Sequence, residues 1–160
     1  MSRNIEMAFK STLDWIINDL AIKLSADLPS NRPVKAFDLD DSASERQVQA
    51  GAEHALVYQY THLGGADPLY SAEFLIGAKT TADAGNYDMT TLLTELRDLF
   101  RGDCQSSFDL YDYSEVEEGQ DPGEILGTLV IQDVGTGPQM FEKQSGVRLL
   151  AVTGKVMAYG

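Results

Sequence analysis

Residues 54–79 read HALVYQYTHLGGADPLYSAEFLIGAK, and their pattern decides the fold. His54 to Leu63 is rich in Val, Tyr and Thr, with Leu56, Tyr58 and Tyr60 on one side of a strand and Ala55, Val57 and Gln59 on the other. Gly64-Gly65-Ala66-Asp67-Pro68 is turn chemistry, since glycine supplies positive φ and proline fixes its own. Leu69 to Lys79 returns with Ala72, Phe74, Ile76 and Ala78 on a common face. The stretch predicts an antiparallel hairpin.

Two helices flank it. From Asn4 to Asp27 the apolar positions Ile5, Phe9, Leu13, Ile16, Ile17, Leu20 and Leu24 recur at three- and four-residue steps, the spacing of one helical face. Leu28-Pro29 ends that helix, because the residue before proline avoids the α region. At ~100° per residue Ala8, Trp15 and Ile22 fall together on the side opposite the main stripe, making a second apolar side and a candidate subunit contact. A fold-back of Trp15 onto neighbouring loops is the alternative. The second helix carries Met89, Leu92, Leu93, Leu96, Leu99 and Phe100 as one stripe. Asp88 is placed to cap its start, Gly102 to adopt a left-handed C-terminal cap, and Arg97 and Arg101 to meet the negative end of its dipole.

Further along, Val34 to Leu39 predicts a short strand, followed by a loop to Gly51. Phe108 to Tyr113, Ile125 to Val134 and Val147 to Tyr159 predict three more strands, the last two paired as a hairpin. Gly154 inside the final strand marks a bulge or a close backbone approach. Runs of strands separated by helices imply an α+β fold: a two-layer sandwich with a mostly antiparallel or mixed sheet and helices packed on one face. At 160 residues the chain is expected to be a single domain over 1–160, with the N-terminal helix at 4–27 and the sheet and its packing helix at 34–159.

Charge narrows the functional classes. The chain carries a formal net charge of −13, and its pI is near 4.3. Between Gly102 and Glu142 lie the carboxylates Asp103, Asp109, Asp112, Glu115, Glu117, Glu118, Asp121, Glu124, Asp133 and Glu142, with no Lys, Arg or His among them. Such a tract repels phosphate and calls for water, a cation or a basic partner. General-surface binding to DNA or anionic membrane is excluded, since both need a basic footprint. Arg3, Glu6, Lys10 and Asp14 interrupt any leader-like apolar run, and no stretch reaches the ~20 apolar residues needed to span a bilayer. The expectation is a soluble chain, intracellular when made, with no membrane partner.

Local catalytic signatures are missing. Gly135-Thr136-Gly137-Pro138 lacks the context and the lysine of a phosphate loop, and there is neither HExxH nor CxxC. Cys104 with two histidines cannot fill a His/Cys zinc site. His54 and His62 lie roughly 26 Å apart on a straight strand and are expected to be strand-end histidines near solvent. The tract from Asp109 to Glu115 departs from the calcium-loop pattern, so a solvated acidic loop is the default reading. Arg101-Gly102-Asp103 reads as helix-end chemistry. No metal and no cofactor are expected.

The leading amphipathic helix, the hairpin running through Tyr70-Ser71-Ala72-Glu73-Phe74-Leu75-Ile76, the helix Thr91 to Phe100 and the long terminal strand Val147 to Val156 together resemble the tail terminator, or tail completion, proteins of long-tailed bacteriophages. The likeness is one of layout over most of the chain. It implies a non-enzymatic virion protein of the tail or neck, made in the host cytoplasm, that forms a homo-oligomeric ring, usually a hexamer. Such a ring caps the tail tube protein, stops its polymerisation and meets the head-tail connector protein. Genomic DNA would pass through without specific binding, along a wall for which Asp109, Asp112, Glu115, Glu117 and Glu118 are the channel-facing candidates. Ala8, Trp15 and Ile22 are the matching subunit-interface candidates. The competing readings are an acidic DNA-mimic inhibitor of a DNA-binding protein, another phage neck or tail component, and a small hydrolase using His54 or His62.

Overall fold

The structure, a computed structural model, describes residues 2–27, 33–40, 54–80, 87–111, 124–137 and 147–159. The elements run α1 (Ser2–Asp27), β1 (Val34–Asp38), β2 (His54–Ala66), β3 (Leu69–Lys79), α2 (Tyr87–Leu99), β4 (Ser107–Leu110), β5 (Gly127–Thr136) and β6 (Val147–Ala158). The strands form one sheet in the order β1-β2-β3-β6-β5-β4. β1 lies parallel to β2 and every other neighbour is antiparallel, so the sheet is mixed and the fold is α+β.

Alternation sends Tyr70, Ala72, Phe74, Ile76 and Ala78 of β3 to one face, where all are buried. Leu129 and Ile131 of β5 and Leu150, Val152 and Val156 of β6 join them. Both helices cover this same face: Ile5, Phe9, Leu13, Ile17, Ala21 and Leu24 from α1, and Met89, Leu92, Leu93 and Leu96 from α2, enter the same core. A row of aromatic rings crosses it. Tyr60, Phe9, Phe74, Phe100 and Phe108 follow one another at centroid separations of 5.2–5.6 Å, mostly edge to face, the arrangement that ring quadrupoles favour. On the other face a smaller cluster of Leu39, Ala55, Val57 and Leu149 is also buried, so β2 is apolar on both sides and the polar alternation of its sequence is weak.

The predicted hairpin is present and longer than expected. β2 continues through Gly64, Gly65 and Ala66, and the turn shrinks to Asp67 and Pro68, joined by a cis peptide bond. Gly65 makes this possible with φ at 109°. The register shifts between Tyr60 and His62, which interrupts the strict alternation the sequence suggests. The β5–β6 hairpin is also present, and its register shifts between Ile131 and Asp133. Gly154 sits opposite Ile131, and a Cβ there would fall 2.6 Å from the Val130 carbonyl oxygen, so the glycine marks a close backbone approach while the bulge belongs to the partner strand.

One expected cap is corrected. The left-handed residues after α2 are Asp103 and Cys104, at φ 54° and 61°, and not Gly102. Gln105 N donates to Gly102 O at 3.1 Å, closing a tight turn whose two central residues both need positive φ. The amides of Asp103 and Cys104 then donate to Gln132 O and Ile131 O, each at 2.9 Å, and so brace the β5 bulge.

Candidate functional site

The outer side of α1 is the first surface of interest. Trp15 is 51% exposed and Ile22 is 73% exposed, although the helix already buries a full stripe inward. Ala8 is corrected: it is wholly buried within the core of the subunit and cannot take part in a contact between subunits. The reason is geometric. The buried positions Ile5, Phe9, Leu13, Ile17 and Ala21 advance by four residues, so the buried stripe winds around the helix by roughly 40° per step. Ala8 lies inside the stripe near the N-terminus, whereas Trp15 and Ile22, at almost the same helical angle, have been left outside it. Beside that first half runs the chain leaving β4, where Tyr111 O accepts from the hydroxyls of Ser11 at 3.1 Å and Thr12 at 3.0 Å.

A second apolar surface was not anticipated. On the sheet face away from the helices, Leu69 pairs with Met157 and Met157 with Thr128, and both Leu69 and Met157 are about half exposed. The Tyr159 hydroxyl bonds the hydroxyl of Thr128 and brings a third large side chain to this end. The signal was readable: Leu69 and Met157 occupy the parity opposite to the core residues Tyr70 and Val156, where a solvated face should carry polar groups.

The same transverse row ends in Asp109, which pairs with Thr128 on the edge strand β4 and is exposed. Of the channel-facing candidates it alone is described; Asp112, Glu115, Glu117 and Glu118 lie outside the described residues.

Two polar clusters are structural in their geometry. Where α1 crosses β1, Lys10 Nζ lies 3.2 Å from Asp38 Oδ2 and 3.7 Å from Asp40 Oδ2. Burial pulls the Lys10 ammonium down, but the Asp38 hydrogen bond and the surrounding carboxylates outweigh it and hold the group above its ordinary value. Deeper in, Asp14 lies beside the Tyr58 hydroxyl, and its Oδ1 is buried with no hydrogen-bond partner among the described residues. Burial raises the Asp14 carboxyl, Asp38 and Asp40 raise it further, and the Tyr58 bond and Lys10 act against them. Burial and the Asp14 bond in turn push the Tyr58 hydroxyl far above its usual range.

The second cluster corrects an expectation. His54 is wholly buried rather than near solvent, with Nε2 2.8 Å from Asp88 Oδ2. Asp88, expected as a cap, lies in the first turn of α2 and directs that oxygen to β2. The His62 side chain lies outside those described. Among the described residues no group of three or more His, Cys, Asp and Glu side chains is arranged to hold a metal, and no helix is long and apolar enough to cross a membrane. Comparison with protein-family models and with curated protein sequences finds no match to this chain.

Proposed function

We propose that this protein is a non-enzymatic assembly subunit that closes into a ring, the tail terminator of a long-tailed bacteriophage. The observation that carries the reading is the outer face of α1, where a tryptophan and an isoleucine stand exposed on a helix whose inner face is already committed to the core. Trp is concentrated in interface centres, and a ring needs a patch of this kind on every copy. The order α1, three strands, α2, three strands agrees with the layout on which the resemblance rests.

In this reading the ring, a hexamer, caps the tail tube, stops its growth and receives the head-side connector. The net charge of −13 suits a conduit through which DNA slides without adhering, since carboxylates repel phosphate at every point of contact. Asp109, exposed on an edge strand, is the described candidate for that wall, and Asp112, Glu115, Glu117 and Glu118 complete the proposed set.

Mass measurement in solution, alone and with tail tube protein added, tests the proposal. A ring, or a monomer that assembles on tube ends, is expected; a chain that stays monomeric under both conditions sinks it. Replacing the five wall carboxylates by lysine should slow DNA passage in assembled particles while leaving ring mass unchanged.

A further inference from the structure

We propose that the outer edge of β4 receives an extended, basic segment of a partner protein, which adds a strand to the sheet beside Ser107 and Asp109. The inference is independent of the ring reading and goes beyond it. β4 ends the described sheet. Ile131 N donates to Ser106 O at 3.0 Å, so Ser107 and Val130 form a non-hydrogen-bonded pair, and by alternation Asp109 and Thr128 form the next. The amide and carbonyl of Ser107 and of Asp109 therefore point away from β5. Among the described residues no strand takes them up, and both residues are exposed. An edge of this kind is a template for another strand.

The two edges of the sheet differ in charge. At the β1 edge the carboxylates are matched: Lys10 Nζ lies 3.2 Å from Asp38, and Asp40, just past the strand, lies 3.7 Å from the same ammonium and accepts from Gln59 at 3.2 Å. At the β4 edge they are not. Asp109 on the strand, Asp103 in the turn leading into it and Asp133 on β5 are exposed, and none of their side chains has an ion pair or hydrogen bond among the described residues. The turn belongs to this edge because the Asp103 and Cys104 amides donate to the β5 carbonyls of Gln132 and Ile131. The cations of neighbouring elements are engaged elsewhere: Arg101 lies 3.6 Å from Asp98, and Lys155, two strands in, bonds the Ser71 hydroxyl. From Gly102 to Glu142 the sequence supplies no Lys, Arg or His.

Charge then selects the occupant. A second copy pairing edge to edge brings like carboxylates together, which destabilises the pairing. A strand with Lys or Arg at alternate positions sets its cations on the side to which Ser107 and Asp109 project, while its backbone takes up the outward amides and carbonyls. Phe108 and Leu110 project the other way and pack with the core. Only two residues of β4 offer outward groups, so backbone pairing alone is weak and the carboxylates supply the discrimination. An unpaired carboxylate repels phosphate and attracts an ammonium for the same reason, so a docked strand takes Asp109 out of the proposed wall.

The test uses the full chain and a short synthetic peptide of alternating Lys and Thr, with a block peptide of the same composition, lysines first, as the control for net charge. At low salt the alternating peptide should slow amide exchange at Ser107 and Asp109 at least tenfold and bind at least tenfold more tightly than the block peptide. Equal affinity of the two peptides, or protection away from β4, overturns the proposal. Ser107→Pro removes an amide that points away from β5 and breaks no bond within the sheet. It should keep the melting midpoint and lose the preference for the alternating peptide; a folded variant that retains the preference refutes the added strand. Where the proline variant does not fold, Asp109→Asn, at an exposed side chain, decides: affinity should fall at least tenfold, and unchanged affinity refutes the proposal. Ring mass is read separately, so failure here leaves the ring reading standing.

Discussion

His54 Nε2 and Asp88 Oδ2 meet at 2.8 Å across 34 residues of sequence, with the histidine side chain wholly buried and the aspartate nearly so. The bond fastens the first residue of β2 to the first turn of α2. Asp88→Ala takes this partner from the buried imidazole, and His54→Ala takes it from the carboxylate. Each should cost about 1–3 kcal/mol in urea denaturation, the usual range for breaking a buried polar contact. The double replacement should cost clearly less than the sum, because both singles break the same bond; strict additivity would show that the pair is not coupled.

Asp14 gives a pH dependence opposite to that of an ordinary paired carboxylate. Its folded-state pKa is raised, chiefly by burial, so the folded protein holds the proton at pH values where the unfolded chain, near 3.8, has released it. Stability from this group is present below that unfolded value and is lost as pH rises through the folded one. Asp14→Asn keeps an acceptor for Tyr58 and removes the buried charge. It should raise the thermal midpoint at pH 7 and change it little at pH 3, as read by a melting series over that range.

The hairpin turn carries its own titration. The Tyr70 hydroxyl bonds the Asp67 carboxylate, and that bond, with burial and the nearby charge, pushes the phenol up to about 12 from 10.0. Tyr70 thus favours the fold below pH 10 and ceases to do so as pH passes through about 12. In Asp67→Asn the phenolate absorbance of this residue should appear at lower pH, in a difference titration against Tyr70→Phe. An unchanged curve would mean that the carboxylate is not the cause.

Two glycines should refuse a side chain. A Cβ at Gly77 would fall 2.3 Å from Arg148 O, and one at Gly154 would fall 2.6 Å from Val130 O, both backbone atoms that cannot turn away. Gly77→Ala and Gly154→Ala are each expected to destabilise by about 1–3 kcal/mol, the range for overpacking. Gly135→Ala, where a Cβ meets nothing within 4 Å, is the matched control.

Much of this architecture is legible in the sequence because it is periodic. The alternation of Ala72, Phe74, Ile76 and Ala78 and the three- and four-residue steps of α1 and α2 each report a face that must be covered, and the covering follows. Relations between distant elements leave no such trace. Nothing local pairs His54 with Asp88, and nothing in α1 alone says that its buried stripe will wind across a sheet and take Ala8 with it while leaving Trp15 outside. The αL positions at Asp103 and Cys104 were hidden by the glycine beside them, which is the commoner residue for that conformation. The exposed Leu69 and Met157 do show in the sequence, at the parity opposite to the core residues Tyr70 and Val156.

The sheet order has a consequence for how the chain comes to be folded. β6, which follows both in sequence, lies between β3 and β5 and hydrogen-bonds to both. Until it arrives, the α1 to β3 portion and the β4 to β5 hairpin each present an open strand edge and half a core, and neither can close on the other. Such late, long-range pairing makes for slow folding in a single cooperative step. A chain that lacks this central strand is left with two separate pieces of sheet and no shared core, so loss of β6 should abolish the fold rather than trim it.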